Sequence, residues 1–208
     1  MISGKPGPQG AADARWTTGR DLVVFAILAV LVIALEAGGD TIRLLLRFDR
    51  TGLQAGEYWR LVTGHLVHLG WGHALLNLAA LGLIMGAFRP LVGWGSWGIA
   101  AIAAVISIDI GLWISSPPVG WYVGLSGVLH GLVVAAAVEL LATSPRTGSV
   151  ILAAVAAKLA WETLRGPLPF TADLSGGDVI EAAHLWGAVG GGLAAVVILG
   201  LRKPAAPL

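Results

Sequence analysis

The chain has 208 residues, of which 56% are hydrophobic and 12% are charged, and its net charge is +1. Its mean hydropathy of +0.81 is far above that of a water-soluble domain and is typical of a protein that crosses the bilayer several times. The near-neutral charge offers no basic surface for nucleic acid, and the absence of cysteine excludes disulfides and thiol catalysis. Thirty glycines and nine tryptophans suit close helix packing and anchoring at the lipid–water interface.

Apolar runs bounded by glycine, proline or charged residues predict a single membrane domain over 21–202. Residues 1–20 are rich in glycine, proline and polar side chains and are predicted to form a disordered cytoplasmic tail, and 203–208 a short carboxy-terminal tail. The expected fold class is all-α, a polytopic bundle of six membrane-spanning helices. We expect these spans at 22–35, 72–88, 94–114, 123–141, 149–164 and 179–201.

A long connection at 37–71 separates the first two predicted spans. Its Arg43, Arg47 and Arg50 recur at i, i+4 and i+7, and this spacing predicts one basic face of a helix. Such a helix could lie flat in the membrane interface or pack on the bundle as a soluble amphipathic helix. Trp59 and Arg60 follow, an aromatic residue and a cation that are typical of headgroup depth.

Six spans would put both termini on one side of the membrane. Most Lys and Arg residues outside the long connection then gather on that side, with Arg165 opposite them, so the positive-inside rule predicts cytoplasmic termini. The arginines of the long connection run against this rule but alternate with acidic residues. We therefore expect a multi-pass protein of the inner (plasma) membrane whose even-numbered spans enter from the outside.

Polar residues cluster in the first turns of those even-numbered spans. His73 and Asn77 open the second span, Ser126 and His130 the fourth, and His184 the sixth. Because these positions share one depth, the topology predicts a single polar site that faces outward. A serine, a histidine on another helix and a His/Asn pair supply a nucleophile, a general base and donors for a developing oxyanion.

Three closely spaced histidines, His65, His68 and His73, raise the alternative of a metal site. The sequence around them has neither a His-Glu-x-x-His motif nor a nearby carboxylate, so we expect no metal and no cofactor.

Other ionisable residues inside the predicted spans have structural interpretations. Lys158 and Glu162 lie at i and i+4 in the fifth span and are expected to neutralise each other as an ion pair. The alternative is that this pair reads the substrate. Asp109 and Glu181 are expected to be structural or interfacial carboxylates, so the predicted machinery is a dyad without an acidic third member.

Together these motifs resemble those of the rhomboid intramembrane serine proteases. The likeness covers 22–201 and rests on Trp59-Arg60, His73-x-x-x-Asn77, Gly124-Leu125-Ser126-Gly127 and His184-x-x-Gly187-x-x-x-Gly191. The resemblance implies a Ser126–His184 catalytic dyad and a water-filled cavity open to the outside. It further implies that the substrates are transmembrane helices. Supporting roles are implied for other matched residues: the oxyanion site for His73, Asn77, Gly124 and Gly127, and the seating of a membrane-embedded loop for Trp59 and Arg60.

The stretch 124–131, Gly-Leu-Ser-Gly-Val-Leu-His-Gly, is most similar to the rhombosortase branch of that family. Many rhomboids have an aromatic residue four positions after the serine, whereas this chain has His130. Similarity to this branch implies client proteins with a carboxy-terminal Gly-Gly signal, a hydrophobic helix and a basic end. His130 could stack on His184 and change its basicity, or fill space as a neutral ring.

A serine endopeptidase is the leading function class, and three alternatives stay open. They are a general rhomboid protease, a rhomboid-like protein that holds client helices without cutting them, and a small transporter. The presence of both Ser126 and His184 favours an enzyme over a binding protein. Aliphatic residues follow Asn77 and His184 in their spans and disfavour a polar path through the bilayer. The expected partners are the lipid bilayer and a client transmembrane helix.

Overall fold

A computed structural model describes residues 19–169 and 171–202, and in them the chain forms ten helices and two short strands. The predicted tails lie outside the described residues, except that Gly19 and Arg20 already belong to the first helix. In chain order the elements are α1 (Gly19–Ala37), α2 (Gly39–Leu46), β1 (Phe48–Asp49), α3 (Arg50–Gln54), α4 (Arg60–Thr63), α5 (Trp71–Phe88), α6 (Trp94–Ser115), β2 (Trp121–Tyr122), α7 (Ser126–Leu140), α8 (Pro145–Arg165), α9 (Thr171–Ser175) and α10 (Glu181–Leu201).

The fold is a helical membrane bundle with four or five candidate spans in the described residues. Helices α5, α6, α8 and α10 are each long and apolar enough to cross a membrane. Helices α1 and α2 form a fifth candidate if they are counted together across a bend of 110°. Gly39 stands at this bend with φ of +61°, a conformation that glycine adopts without strain.

Helix α7 is apolar but short. Its 15 residues extend about 22 Å at 1.5 Å per residue, less than the ~30 Å of the hydrocarbon core. The helix predicted at 123–141 begins three residues late, because β2 and a short irregular segment with Gly124 at φ of +121° occupy 121–125. The first residue of α7 is Ser126, so the helix amino terminus lies at the serine itself.

The connection at 37–71 is folded and contains α2, β1, α3 and α4. Strand β1 pairs with β2 in antiparallel fashion, with Phe48 opposite Tyr122 and Asp49 opposite Trp121. The side chains of Phe48 and Tyr122 are fully buried. This pairing fixes the connection to the segment that immediately precedes α7.

The prediction that three arginines share one helical face is wrong. Helix α2 ends at Leu46 and Arg47 is extended, because Phe48 leaves the helix to form β1. Each guanidinium has an acceptor of its own: for Arg43, Arg47 and Arg50 these are the carbonyl of Leu69 at 2.9 Å, the carboxylate of Asp49 at 2.8 Å and the carbonyl of Val119 at 2.8 Å.

A close backbone contact joins the short helix α7 to the long helix α10. A Cβ atom on Gly187 would lie 2.0 Å from the carbonyl oxygen of Gly127, and one on Gly191 would lie 2.1 Å from that of Gly131. Because backbone meets backbone along this seam, a side chain at either α10 position would force the helices apart. The seam brings the amino-terminal turns of α7 and α10 together.

Ion pairs with buried carboxylates connect the helix ends that lie away from Ser126. Arg89 after α5 donates to Asp21 of α1 at 3.0 Å, and Arg202 after α10 donates to Glu139 of α7 at 3.0 Å. The carboxylates of Asp21 and Glu139 are both buried, so each has a cationic partner that offsets part of its desolvation cost.

Replacing Gly191 with alanine should destabilise the protein, because its methyl group would meet the backbone of α7. Overpacking of this kind costs roughly 1–3 kcal/mol, and the midpoint of thermal unfolding in detergent should fall when followed by tryptophan fluorescence. Gly200→Ala on the same helix is the matched control, since nothing lies within 4 Å of its Cβ position. Equal midpoints for the two variants would contradict the close helix contact.

Candidate active site

The first residue of α7, Ser126, faces the first turn of α10 at His184. The Nε2 atom of His184 lies 2.9 Å from Ser126 Oγ, and its Nδ1 atom lies 3.0 Å from Glu162 Oε2 on α8. An ionised carboxylate only accepts hydrogen bonds, so the His184 proton is assigned to Nδ1. The Nε2 lone pair then faces the serine hydroxyl, the arrangement that a general base requires.

The glycine two residues before the serine has a conformation and a position that exclude a side chain. Gly124 has φ of +121°, in the region that L-residues rarely adopt, and its Cβ position lies 2.6 Å from the ring of His73. Its amide donates to the carbonyl of Gly64 at 3.0 Å. Gly124 and Gly127, which were both predicted to support the oxyanion site, make different contacts. Gly124 lies against the ring of His73, whereas Gly127 lies in the seam against the backbone of α10.

His73 and Asn77, the predicted His/Asn pair, lie on α5 beside Ser126. The Nδ1 atom of His73 accepts the Leu69 amide at 3.4 Å, so its ring proton is on Nε2, the nitrogen near Gly124. The amide of Asn77 donates to the carbonyl of His73 at 3.1 Å and has a second N–H. Both side chains are buried. A ring N–H and an amide N–H are thus available on the helix that faces Ser126.

Two cavities reach Ser126 from different directions. The first has a volume of about 520 Å³ and is lined by His73, Tyr122 and the segment 176–180 before α10. The second has a volume of about 250 Å³ and lies between α5, α7 and α8, where Ile84, Val155 and Lys158 line it. Ser126 therefore lines both a cavity on the loop side and a cavity between the helices.

The ring of His130 stacks on that of His184. Their centroids are 4.3 Å apart and the ring planes differ by 19°. The Nδ1 atom of His130 donates to the Ser126 carbonyl at 2.7 Å. Stacking of these two rings, one of the two expectations for His130, is thus present in the structure.

The side chains of His130, Glu162 and His184 also have the spacing of a metal site, with ligand atoms within 4.8 Å of one another. It is the one such group in the part of the chain that the structure describes. Each His184 nitrogen already has a partner, and Lys158 Nζ lies 2.6 Å from the other oxygen of Glu162. Because the two rings are stacked, their in-plane lone pairs run side by side and do not converge. The donor set fits proton transfer at Ser126 better than it fits a cation.

Of the three closely spaced histidines in the sequence, His65 and His68 lie apart from Ser126. His65 Nε2 lies 3.3 Å from Asp109 Oδ1, a pairing that the sequence did not predict. His68 is buried edge-on against His73 at 4.9 Å. Burial, with His73 beside it, lowers the pKa of His68 from 6.5 to about 3. His68 is therefore a neutral ring at physiological pH.

Within the folded connection, Trp59 and Arg60 fasten the end of α2 to α4. The buried guanidinium of Arg60 donates to the carbonyls of Leu44 and Arg47, each at 2.9 Å, and pairs with Glu57. The indole of Trp59 donates to the carbonyl of Leu45 at 3.3 Å. These bonds satisfy carbonyls at the end of α2 and hold the turn into β1.

The expectation for Glu162 was incomplete. Its ion pair with Lys158 is present at 2.6 Å, but its second oxygen also bonds to His184. The order of the predicted spans could have indicated the contact with His184, since in an alternating bundle the end of the fifth span reaches the level at which the sixth begins.

Glu181, which shares a helix with His184, lies near Gly166.

A family model for the Rhomboid domain matches residues 55–201, more than half of the chain. The chain belongs to the rhomboid family. Its helical bundle and its candidate spans accordingly make it a multi-pass membrane protein of the rhomboid type.

Two rhomboid relatives come from Bacillus subtilis (strain 168). The protein named "Putative rhomboid protease YdcA" is 32% identical over 81 residues, which cover 39% of this chain and 41% of YdcA. The protein named "Rhomboid protease GluP" is 27% identical over 112 residues, which cover 52% of this chain and 22% of GluP. The chain thus spans about two fifths of the length of the first relative and about a fifth of the second.

Replacing Arg60 with lysine should loosen the connection between α1 and α5, because an ammonium cannot reproduce the fork of the guanidinium. Loss of a hydrogen bond from a buried charged group costs roughly 1.5–3 kcal/mol. Amide hydrogen exchange across 44–64 should therefore quicken by roughly tenfold or more, as measured by mass spectrometry. Arg146→Lys is the control, since Arg146 is exposed at the start of α8. Unchanged exchange in Arg60→Lys would contradict this fastening role.

Proposed function

We propose that this rhomboid is an intramembrane serine endopeptidase that cleaves membrane-anchored proteins near the outer membrane face. The observation that carries the proposal is the 2.9 Å contact between Ser126 Oγ and His184 Nε2 inside a helical membrane bundle. A serine paired with a histidine that has a carboxylate behind it is the arrangement of an activated nucleophile. The rhomboid proteases among the relatives support the same reaction class.

In the proposed reaction, His184 removes the hydroxyl proton of Ser126 as Oγ attacks the carbonyl carbon of the scissile peptide. The imidazolium then gives that proton to the leaving amine, so that the carboxy-terminal fragment departs and the amino-terminal fragment stays bound to Ser126 Oγ as the acyl-enzyme. Water entering by the larger cavity repeats the sequence, with His184 as base, and frees the serine. The cavity of about 520 Å³ at Ser126 gives this water a route.

Charge that develops on the carbonyl oxygen needs donors on the side of the site opposite His184. We assign this role to the Nε2–H of His73, to the remaining amide N–H of Asn77 and to the free N–H groups of the first turn of α7. Gly124 supports the site by admitting the His73 ring where a side chain would collide with it.

For the membrane arrangement we propose a domain over 21–202 with six spans, which adds α1 and the short α7 to the four long apolar helices. Both termini then lie in the cytoplasm, by the distribution of Lys and Arg, and the site faces outward from the inner (plasma) membrane. The amino terminus of α7 falls below the outer surface in this arrangement, which sets Ser126 at the depth of a client helix end.

The client that we propose is a protein with a Gly-Gly carboxy-terminal tail, as in the rhombosortases. His130, stacked on His184, is the feature that supports this branch. Glycine residues unwind a helix end readily and expose a carbonyl to attack. General rhomboid proteolysis is the alternative, and a protein that only holds client helices is the non-catalytic one.

The purified protein should react with a fluorophosphonate probe, which phosphonylates an activated serine with loss of fluoride. Ser126→Ala should label only at background, because the nucleophile is gone, and His184→Ala should do the same because the base is gone. Gel fluorescence measures the adduct, and thermal unfolding in detergent verifies that both variants are folded. Labelling at the wild-type rate in either folded variant would exclude the dyad and leave the binding protein as the better account.

A reporter protein that ends in a Gly-Gly linker, a short apolar helix and a basic cluster should be cut near the linker when co-expressed with this chain. Replacing both glycines with leucine should slow the cleavage, because a continuous helix hides its carbonyls from Ser126. The cut is measured by mass spectrometry of the released fragment. If both reporters are cut equally fast, the protein is a general rhomboid protease and its role in removing sorting tails is wrong.

A further inference from the structure

A residue on α8 contacts the proposed dyad, whose two members lie on α7 and α10. We propose that Glu162 is a positioning residue that completes a Ser126–His184–Glu162 triad, and that Lys158 is the counter-ion that holds its carboxylate in place. The inference rests on the proposed function, since it concerns the reactivity of the same serine. It goes beyond the expected dyad, in which Glu162 had no part.

Burial and helix direction favour this role over a simple ion pair. Helix α8 is largely exposed, and in its described residues Gly148 and Glu162 are the two that are buried. The Glu162 side chain is 3% exposed, whereas that of Lys158 is 30% exposed. The open face of α8 would meet lipid, so the helix turns its carboxylate into the bundle. Burial there costs desolvation energy, and besides Lys158 the carboxylate has an inward partner in His184 that offsets part of this cost.

Each carboxylate oxygen of Glu162 has a separate partner. Oε1 accepts from Lys158 Nζ at 2.6 Å, and Oε2 lies 3.0 Å from His184 Nδ1. This division keeps Oε2 in place for the imidazole, because the ammonium fixes the rotation of the carboxylate from the other side. Lys158 also lines the cavity between α5, α7 and α8. This cation therefore lies at the edge of the site, and the hydrogen bonds that link Glu162, His184 and Ser126 do not pass through it.

The groups around His184 leave Glu162 as its acidic partner among the described residues. From α7 it meets Ser126 and the stacked ring of His130, and His73 on α5 is close enough to act on it electrostatically. Helix α8 contributes Lys158 and Glu162. On α6, Asp109 is paired with His65, and Glu181 on His184's own helix lies near Gly166.

The carboxylate would act on His184 in two ways. It holds the proton on Nδ1, so that the Nε2 lone pair faces the serine, and it stabilises the imidazolium formed when Nε2 takes the hydroxyl proton. The Nδ1 proton stays on the ring, Glu162 stays ionised, and the proton from Ser126 leaves with the amine product. No other reactant is needed.

The test is the rate of fluorophosphonate labelling of the full chain in detergent, measured across the pH range in which histidine titrates. Glu162→Gln keeps the side-chain shape but removes the charge, so the plateau rate should fall by roughly a hundredfold to ten-thousandfold. The dependence of the rate on pH should change as well, because the group that faces His184 Nδ1 is then an uncharged amide in place of an anion. Lys158→Met should change this dependence in the opposite sense, because the carboxylate then acts on His184 without its counter-ion.

Glu139→Gln is the matched control, because Glu139 is equally buried and ion-paired but lies at the far end of α7. It should change thermal stability and leave the labelling profile unchanged. The double variant Lys158→Met with Glu162→Gln removes both charges, leaves no unpaired lysine and should label as slowly as Glu162→Gln. It therefore keeps the test valid if the single variant does not fold.

The results separate this inference from the proposed function. Wild-type rate and an unshifted profile in the folded Glu162→Gln or double variant would reduce Glu162 to a structural ion pair while Ser126 remains the nucleophile. If the wild-type protein shows no labelling at Ser126, both proposals fail together.

Discussion

The glycine seam between α7 and α10 is the contact on which the site depends. Gly127 and Gly131 meet Gly187 and Gly191 with backbone against backbone, so the two helices approach as closely as helices can. A serine that begins one helix can then reach a histidine in the first turn of the other at 2.9 Å. Lipid supplies no hydrophobic force between helices, so this close contact, with the ion pairs at the opposite ends, has to maintain the geometry.

The second constraint is the depth at which α7 begins. A helix of 15 residues cannot cover the hydrocarbon core, and the paired strands β1 and β2 hold the segment that precedes it. The amino terminus at Ser126 is consequently held inside the bundle, where its free N–H groups and the donors of α5 face the same space. The buried carboxylates of this region are paired, as buried charges require: Glu162 has Lys158 and His184, and Asp109 has His65.

Hydropathy and the recurrence of polar residues at helix starts were sufficient to predict a helical membrane bundle. They also predicted which side chains would face one another, and Ser126, His130 and His184 do meet. Local patterns failed where a distant partner decides the structure. Helix α2 stops at Leu46 because Phe48 pairs with Tyr122, which is far along the chain. Glu162 already had a neighbour at i−4 that satisfied its charge, so nothing in the local spacing indicated its second bond to His184 on another helix.

A structure of the protein inactivated with diisopropyl fluorophosphate would show whether Ser126 is an activated serine beside an oxyanion site. We expect a covalent bond between phosphorus and Ser126 Oγ, with the phosphoryl oxygen within hydrogen-bond distance of His73 Nε2 or Asn77 Nδ2. The His184 ring should keep its contact with Glu162. An adduct on any other side chain, or a phosphoryl oxygen that faces away from α5 and from the amino terminus of α7, would exclude this site.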